Sequence, residues 1–293
     1  MNHTSITIFT PAYNRAYTLP KLYHSLIEQK YPKLVWMIVD DGSTDDTESL
    51  IQKFIEERKI YIRYFKQKNG GKQRAMNVGF KNCDTDLFMC VDSDDYLNQG
   101  AVYKIVQKWE ENYHGQPDIA GIISVKGKSV DQPLNTFLPN IDKTKQRWLY
   151  TKYGFKGDLD LIYRTDVINR YSYYVYEDEK FIGETYVFNK IDEKYDLFIL
   201  NSITSVCEYL QDGYTKNVRK LLKSNPKGYR LLKYENALHH EKVRFRLAEM
   251  IKYCAADIMC NDRQGFKKCK LKRYYIVSFL PGLLVYWIFY RNA

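Results

Sequence analysis

The chain has 293 residues, of which 45% are hydrophobic, so it can bury a large core and is not an intrinsically disordered protein. Its net charge of +10 is concentrated in residues 214–273, which hold 17 Lys and Arg and 5 Asp and Glu. The other residues hold 28 of the 45 basic and 30 of the 35 acidic side chains, so they are nearly neutral. A basic segment on a neutral body indicates an anionic partner, either nucleic acid or the inner face of a membrane.

The first 125 residues alternate between strand-like and helix-like segments. The strands are almost continuously apolar, as strands buried on both faces are. This alternation predicts an α/β fold, a Rossmann-like and mostly parallel sheet with helices on both faces, whose ligands bind beyond the carboxyl ends of the strands. The predicted strands are "SITIFT" (5–10), "LVWMIVD" (34–40), "KIYIRYF" (59–65), "DLFMCVD" (86–92) and "IAGIISV" (119–125).

The second half of the chain is less regular. We interpret Lys126 to Tyr176 as irregular, "EKFIGETYVFNKID" (179–192) as a helix and "ITSVCEYL" (203–210) as a strand. We expect the α/β domain to end at residue 212. Residues 213–293 then form a basic helical region that is broken at Asn225-Pro226.

The chain ends in an apolar tail, residues 274–290, which follows the basic run "KKCKLKR" (267–273). A spanning helix needs about 20 apolar residues, and Pro281-Gly282 interrupts this shorter segment. Basic residues beside an aromatic, apolar segment are typical of an anchor at a membrane surface. The alternative is a terminal helix that packs back on the domain.

The location predicted from these features is cytoplasmic, peripheral on the inner face of the cell membrane. The six cysteines form no CxxC pair, which argues against a zinc site and indicates a reducing compartment. A strand-like run begins almost directly after Met1, so we expect no leader segment. No nucleic-acid-binding module is recognisable, so we expect no nucleic-acid partner.

Two acidic clusters, "VDDGSTD" (39–45) and "VDSDD" (91–95), follow predicted strands. Each could be a solvated turn, but their shared position at the carboxyl edge favours a site. Asp92 and Asp94 can bind one hard cation, and Mg²⁺ or Mn²⁺ typically completes its shell with substrate phosphates. The sequence has neither a GxGxxG after the first strand nor a P-loop, so these carboxylates are the remaining candidates for a nucleotide site.

Four segments in this order resemble the family 2 glycosyltransferases, which have the GT-A fold. They are "TIFTPAYNR" (7–15), "IVDDGSTDDT" (38–47), "NGGKQRAMNVG" (69–79) and "CVDSDDYL" (90–97). Bacterial members of the family that build surface polysaccharides are more loosely similar to two further segments, "KFIGETYVFNKI" and "VCEYLQDGYT". The resemblance implies a donor half at about 1–125 and an acceptor half at about 126–212.

The resemblance also implies roles for single residues. Asp92 and Asp94 would be the metal ligands, with Mn²⁺ or Mg²⁺ as cofactor, and Asp41 would bond the uracil of a UDP-sugar. Tyr13 could instead be core, and Lys72 could be a solvated residue at a helix start. Asp41, Ser43 or Asp45 could cap the following helix, with Ser43 or Asp45 favoured for that role. The residues implied to bind the donor nucleotide are Pro11, Tyr13, Arg15, Asp41, Asn69, Lys72 and Ser93.

The acceptor hydroxyl must lose a proton to a positioned base as it attacks the sugar. The position that matches the base of the family is Glu184 in "IGET", where Thr185 follows in place of the commoner Asp. Alternatively, Glu184 could be a residue at a helix start whose negative charge only interacts favourably with the helix dipole. Asp158 and the cluster Glu177, Asp178 and Glu179 are the alternative bases. The candidate acceptor-binding residues are Trp148, Tyr150 and Asp158.

The sequence thus predicts an inverting, metal-dependent glycosyltransferase. It would act on a lipid-linked or polymeric saccharide acceptor in capsule, exopolysaccharide or O-antigen synthesis. The alternatives are a sugar nucleotidyltransferase, which would need a Gly-rich loop with Arg or Lys near the N-terminus, and a teichoic-acid-type polyol-phosphate glycosyltransferase. A non-enzymatic nucleic-acid binder would be released by salt without detergent.

Overall fold

A computed structural model describes residues 4–207, 214–239, 242–262 and 264–291 of the chain. The chain folds into two compact units. The first comprises Met1–Ser172 and Phe188–Leu210, and the second comprises Tyr173–Val187 and Gln211–Ala293. The boundary expected near residue 212 lies outside the described residues.

The first unit is built on one mixed sheet, in the order β3-β2-β1-β4-β8-β6-β9-β5, with β7 paired to β9. Strands β1 to β4 run parallel, as predicted, and so do β6 and β9. The strands are β1 (Ile6–Ala12), β2 (Leu34–Asp40), β3 (Tyr61–Lys66), β4 (Leu87–Cys90), β5 (Tyr96–Leu97), β6 (Ile119–Gly127), β7 (Lys143–Thr144), β8 (Leu159–Arg164) and β9 (Asp196–Val206).

Helices cover both faces of this sheet. Ile8 points to one face, where it packs in a core with residues of three helices that include Leu22, Phe54 and Ile105. Phe9 points to the other face, against Gly79, where a Cβ atom would lie 2.4 Å from the Phe9 ring. The helices that start in this unit are α1 (Leu19–Glu28), α2 (Thr47–Glu57), α3 (Lys72–Asn82), α4 (Ala101–Asn112), α5 (Gln146–Thr151) and α6 (Thr165–Ile168).

The interpretation of residues 126–176 as irregular was wrong at β8. This strand lies between β4 and β6 and runs antiparallel to both. Its sequence "LDLIYR" carries Asp160, a fully buried carboxylate that breaks the apolar run by which a central strand is recognised. Because β8 is antiparallel, its first residues lie at the same edge as the last residues of β4.

The second unit is mainly helical. Helix α7 (Thr185–Asp192) begins in it, and α8 (Tyr214–Ser224) and α9 (Pro226–His239) meet at Asn225, where the sequence predicted a break. It continues with α10 (Val243–Cys260), α11 (Gly265–Lys268) and α12 (Lys272–Phe289). The buried Arg230 bonds Asp257 at 2.8 Å and Asp262 at 2.6 Å, and the Tyr275 hydroxyl donates to Asp257 at 2.7 Å. These bonds tie α9, α10 and α12 together.

The tail expected to break at Pro281-Gly282 is instead one continuous helix, with Pro281 inside it. Pro281 has no amide N–H, so the carbonyl one turn earlier in the helix lacks its hydrogen-bond donor. Because Pro281 is exposed, water can bond that carbonyl instead. Gly282 faces α10, where a Cβ atom would lie 2.5 Å from Cys254 Cβ. Within the described residues, none of the helices is both long enough and apolar enough to cross a bilayer.

Candidate functional site

The site is built at the carboxyl edge of β1, β2 and β4, where the predicted motifs meet. Asp41 follows β2 and is buried. It accepts hydrogen bonds from Gln67 Nε2 at 2.6 Å, Gly70 N at 2.8 Å and Gly71 N at 2.7 Å. The carboxylate predicted to bond a uracil therefore already holds the glycine loop before α3.

The backbone of the loop after β2 lies close to the backbone of this glycine loop. Gly42 has φ +79°, and a Cβ atom there would lie 2.8 Å from Asn69 N. Gly71, with φ +95°, precedes Lys72, the first residue of α3. Both glycines occupy left-handed backbone that other residues rarely adopt, and the contact places Asn69 at the site.

The loop after β1 is bonded to the loop after β2. Asn14, with φ +53°, accepts from Thr44 N at 2.8 Å, and Asn14 N donates to Ser43 Oγ at 2.9 Å. Of the residues that could cap α2, Asp45 accepts a hydrogen bond from Thr47 N, the first residue of that helix, at 3.0 Å. Ser43 instead makes the loop contact with Asn14. Sequence reasoning gave no role to Asn14, although an Asn close after a predicted strand, near the end of the first motif, is a signal for a left-handed turn.

The last residues of the first motif reach the surface. Tyr13 is 46% exposed, so the interpretation of Tyr13 as a core residue was wrong. Pro11, in β1, and Arg15 are half-buried. The Arg15 guanidinium donates to the Tyr17 hydroxyl at 3.3 Å, and its backbone N–H donates to Thr47. These side chains can line a nucleotide pocket.

The acidic motif after β4 forms a tight turn, closed by a bond from Asp95 N to Asp92 O at 3.1 Å. Asp92 and Asp94 are half-buried and Ser93 is buried. Lys72 Nζ lies 2.5 Å from Asp92 Oδ1, and its side chain is only 13% exposed. Lys72 is therefore not a solvated residue but the cation that neutralises the first acid of the motif.

The two acids of the motif differ in their ionisation. Burial, together with the negative charges of Asp92 and Asp95, raises the pKa of Asp94 to about 6. Burial also disfavours the charged form of Asp92, but Lys72 and Lys126 outweigh it and hold its pKa below the ordinary value. Asp92 is thus paired with the Lys72 ammonium, whereas burial and two neighbouring acids oppose the ionisation of Asp94.

These two carboxylates suit a hard divalent cation. They supply oxygen ligands, and the Lys72 ammonium on Asp92 shows that the turn accepts positive charge. No group of three or more His, Cys, Asp or Glu side chains within residues 4–207, 214–239, 242–262 and 264–291 could hold a metal. The remaining ligands of a cation here would therefore come from solvent or from a substrate diphosphate.

A buried polar network lies behind the motif and was not predicted. Lys126 Nζ in β6 is 2.8 Å from Asp95 and 3.9 Å from Asp160. Thr204 Oγ1 donates to Asp160 at 2.7 Å. Burial raises the pKa of Asp160 to about 6 despite the Lys126 charge. The sequence signals were Lys126 in the mainly apolar β6 and Asp160 between two apolar residues of β8.

The acceptor candidates Trp148, Tyr150 and Asp158 belong to the first unit. Asp158 is exposed directly before β8, so the register of β8 places it at the edge that also carries Asp92. The Tyr150 hydroxyl donates to Gly157 O at 3.1 Å, next to Asp158. Trp148 is half-buried, with Lys152 Nζ 5.5 Å from its ring centre.

The candidate base Glu184 belongs to the second unit, whereas Asp92 and Asp94 belong to the first. Glu184 is half-buried and directly precedes α7. Its carbonyl oxygen accepts from the Tyr173 hydroxyl at 3.1 Å, which fixes the backbone at this position.

The alternative bases near Glu184 have structural partners. Glu179 is buried and accepts from Lys227 N and Gly228 N at 2.7 Å each, so it caps the start of α9. Asp178 pairs with the Lys227 ammonium at 2.5 Å. Both carboxylates are thereby explained without catalysis.

Comparison with known proteins gives a family match to residues 7–172, described as "Glycosyl transferase family 2". This stretch is more than half of the chain and contains the four motif segments. Poly(ribitol-phosphate) β-N-acetylglucosaminyltransferase TarS of Staphylococcus aureus strain MW2 is 27% identical over 177 residues, 59% of this chain. Poly-β-1,6-N-acetyl-D-glucosamine synthase of S. aureus strain COL is 33% identical over 128 residues, 42% of this chain. These matches span only 30% and 31% of the two relatives.

Solved structures share the fold at low sequence identity. S. aureus TarS 1–349 in complex with UDP-GlcNAc superposes with a TM-score of 0.61 and 18% identity, covering 95% of this chain and 81% of that one. The mannosyltransferase PcManGT from Pyrobaculum calidifontis, in complex with GDP-Man and Mn²⁺, has a TM-score of 0.58 and 14% identity, covering 98% and 88%. This chain therefore shares its α/β fold with these two structures.

Proposed function

Because the chain belongs to glycosyl transferase family 2, we propose that it transfers a sugar from a UDP-sugar to a saccharide acceptor used in a bacterial surface polysaccharide. The observation that carries the proposal is the Lys72–Asp92 pair beside Asp94 at the carboxyl edge of the sheet, inside the matched segment. The names of the two relatives and the UDP-GlcNAc complex of TarS support a UDP-sugar as donor.

Asp92 and Asp94 would hold Mn²⁺ or Mg²⁺, which when bound acts as a Lewis acid on the leaving diphosphate. The Mn²⁺ in the PcManGT complex supports this choice. Lys72 would bind the diphosphate once it no longer has to neutralise Asp92. The donor nucleotide would lie against Pro11, Tyr13, Arg15, Asp41, Asn69 and Ser93.

The transfer would be a single inverting displacement. The acceptor oxygen attacks the anomeric carbon of the sugar, the bond from that carbon to the diphosphate oxygen breaks, and UDP leaves with the bonding electron pair. The proton of the acceptor hydroxyl goes to the Glu184 carboxylate, which acts as general base. Trp148, Tyr150 and Asp158 would contact the acceptor, and Asp158 is the alternative base.

The acceptor would be a lipid-linked saccharide, and the protein would lie at the cytoplasmic face of the cell membrane. The basic segment 214–273 and the apolar α12 support this location. A polyol-phosphate polymer of the teichoic-acid type is a second acceptor class, favoured by the activity that TarS is named for. Labelled product that extracts into organic solvent would identify the lipid-linked acceptor, and aqueous polymeric product the polyol phosphate.

The experiment that tests the proposal is calorimetric titration of UDP, with Mn²⁺ and with EDTA, into the wild type and Asp94→Asn. We expect binding that requires Mn²⁺ and falls at least tenfold in the variant. Asp131→Asn is the matched control, because Asp131 is exposed and bonds only a neighbouring loop residue in the described structure. Equal UDP binding in EDTA and in Asp94→Asn would overturn the metal site.

A further inference from the structure

Helix α12 exposes a continuous apolar stripe. Six of its side chains are between 51% and 69% exposed, and at 3.6 residues per turn they fall within roughly 120° of one another. The α12 stripe consists of Ile276, Val277, Leu280, Leu284, Trp287 and Ile288. An exposed apolar surface of this size on one helix marks an interaction site.

The opposite face of α12 is fixed to the second unit. Tyr275, Ser278 and Gly282 are buried, and Cys254 Sγ donates to Tyr275 O at 3.7 Å. Near the end of the helix, the Tyr290 hydroxyl lies 3.3 Å from that of Tyr229. The α12 stripe is therefore presented outward by a helix that is held in place from behind.

Basic side chains border both ends of the α12 stripe. Lys267, Lys268, Lys270 and Arg273 are exposed before or at its start. At its end the Arg291 guanidinium stacks 3.8 Å from the centre of the Trp287 ring. Arg219, from α8, lies 4.9 Å from the ring centre of Phe289, and Lys223 donates to Arg291 O at 3.1 Å. Residues 267–293 contain no acidic residue.

We propose that the α12 stripe inserts in the plane of an anionic phospholipid bilayer, with the flanking Lys and Arg side chains on the lipid phosphates. The helix is about 27 Å long at 1.5 Å per residue, so a helix lying flat brings both basic ends to the headgroups at once. Trp287 lies among the aliphatic residues with a cation stacked on it, which suits the boundary between headgroups and acyl chains.

The charges favour a bilayer over a second copy of the chain. Two α12 stripes packed against each other, parallel or antiparallel, would bring the basic ends of both helices together, where like charges repel. An anionic lipid surface attracts the same ends. The inference rests on the proposed function only for the choice of the cytoplasmic membrane face, and its test uses neither donor nor acceptor.

The test is sedimentation of the full chain with phosphatidylcholine vesicles that contain 0 or about 30% phosphatidylglycerol. The second composition roughly matches the fraction of anionic lipid in a bacterial membrane. We expect binding that needs phosphatidylglycerol and weakens with salt. Leu280→Asp with Leu284→Asp should reduce it at least tenfold, and each of Arg273→Gln and Arg291→Gln by roughly fivefold. Val243→Asp is the matched control, since Val243 is 56% exposed in the same unit but lies outside α12.

A second readout locates the stripe in the bilayer. Brominated acyl chains should quench the fluorescence of bound wild-type protein, and Trp287→Phe should remove most of that quenching, because Trp36 and Trp109 are buried and Trp148 is half-buried outside α12. Circular dichroism checks that each variant is folded. Wild-type protein that stays in the supernatant, or Leu280→Asp with Leu284→Asp that binds as well as wild type, would overturn the proposal. The proposal would also be overturned if light scattering showed that the wild type is a dimer and the doubly substituted variant is not, while neither protein bound vesicles.

Discussion

The charges of the two carboxylates in the acidic motif after β4, Asp92 and Asp94, are neutralised unequally. Asp92 has its counter-charge from Lys72 at 2.5 Å, whereas the pKa of Asp94 is raised to about 6 because burial and two neighbouring acids oppose its ionisation. A divalent cation at this turn would satisfy Asp94 and compete with Lys72 for Asp92. Cation binding and the release of Lys72 are therefore expected to be coupled.

Lys72→Met should change the affinities for metal and nucleotide in opposite directions. Without the competing ammonium, Mn²⁺ should bind a few-fold more tightly in the absence of UDP. UDP with saturating Mn²⁺ should bind about tenfold more weakly, because one charge-assisted contact to the diphosphate is lost. Mn²⁺ electron paramagnetic resonance and UDP calorimetry measure the two effects.

Lys68→Met is the control for this experiment, since Lys68 is an exposed lysine of the same loop. It should leave both affinities within twofold of wild type. A loss of affinity for both ligands in Lys72→Met would show that Lys72 only shapes the turn.

Glu184→Gln should keep UDP affinity and lower turnover by about 10²–10⁴, the usual effect of removing a general base. Turnover is measured as UDP release in the presence of acceptor. The exposed Glu193 provides the control variant Glu193→Gln, which should be close to wild type. Near-normal turnover in Glu184→Gln would transfer the role to Asp158 or Glu177, because Glu179 already caps α9 and Asp178 pairs with Lys227.

The sequence motifs predicted the candidate ligand-binding residues but not the buried residues that support them. Asp92 and Asp94 were predicted because carboxylates directly after a strand suit a hard cation, whereas the role of Lys72 was implied by the resemblance to the family. Lys126 and Asp160 come from strands that meet only in the folded sheet, so no local pattern connects them. Their pairing depends on the antiparallel insertion of β8.

Among the elements, α9 and α10 are joined by a buried charge cluster around Glu249. Glu249 accepts from Lys233 at 3.0 Å, Asn236 at 2.8 Å and Lys252 at 2.9 Å. Burial alone would raise its pKa, but the two ammonium groups and the amide outweigh burial and lower it to about 2. The pair of helices should therefore depend on this carboxylate being charged.

The second unit should lose stability as the pH falls from about 4.5 towards 2. The unfolded chain takes up a proton at the ordinary pKa of Glu249, whereas the folded chain resists it, so the contribution is complete above pH 4.5 and is lost below it. It amounts to about 3 kcal/mol. Urea unfolding of wild type and Glu249→Gln across this pH range measures it.

The difference between these two proteins should be largest at neutral pH and should shrink towards pH 2. Glu235→Gln is the control, because Glu235 is 30% exposed and pairs only with His239 across one helical turn in the described structure. A difference that does not vary with pH would mean that the Glu249 cluster contributes by packing and not by charge.

Strands and helices differed in how well their patterns predicted them. Strands β1, β2 and β4 are mainly apolar and were found, and β3 was found although Arg63 interrupts it, whereas β8 was missed because Asp160 occupies a core position. A proline suggested a break in α12, but the helix continues because tertiary contacts of Tyr275 and Gly282 with α10 hold both halves. Packing therefore overrode the local signal in both elements.

On the scale of the whole molecule, α12 belongs to the core of the second unit as well as to its surface. Tyr275 is buried against Tyr253 and Cys254, and Cys269 lies in the same cluster. The last turn adds Tyr290 beside Tyr229. The C-terminal segment is therefore not a detachable anchor.

Deletion of residues 267–293 should destabilise the second unit and not simply release the protein from membranes. Each large buried side chain that is removed costs roughly 2–5 kcal/mol, and Asp257 would lose the Tyr275 hydroxyl. Limited proteolysis and thermal unfolding of the truncated and full chains measure the effect. A truncated protein that unfolds at the wild-type temperature would contradict the described packing of α12.

The Asp41 carboxylate has a consequence for how a nucleotide would bind. It accepts hydrogen bonds from the amides of Gly70 and Gly71, so contacts within the protein itself order a loop that contains two glycines, the residues with the largest backbone freedom. Ordering each backbone residue costs about 1–2 kcal/mol of conformational entropy, and here that cost is met when the chain folds. Nucleotide binding should therefore lose little chain entropy in this loop and should show similar amide hydrogen exchange at Gly70 and Gly71 with and without UDP.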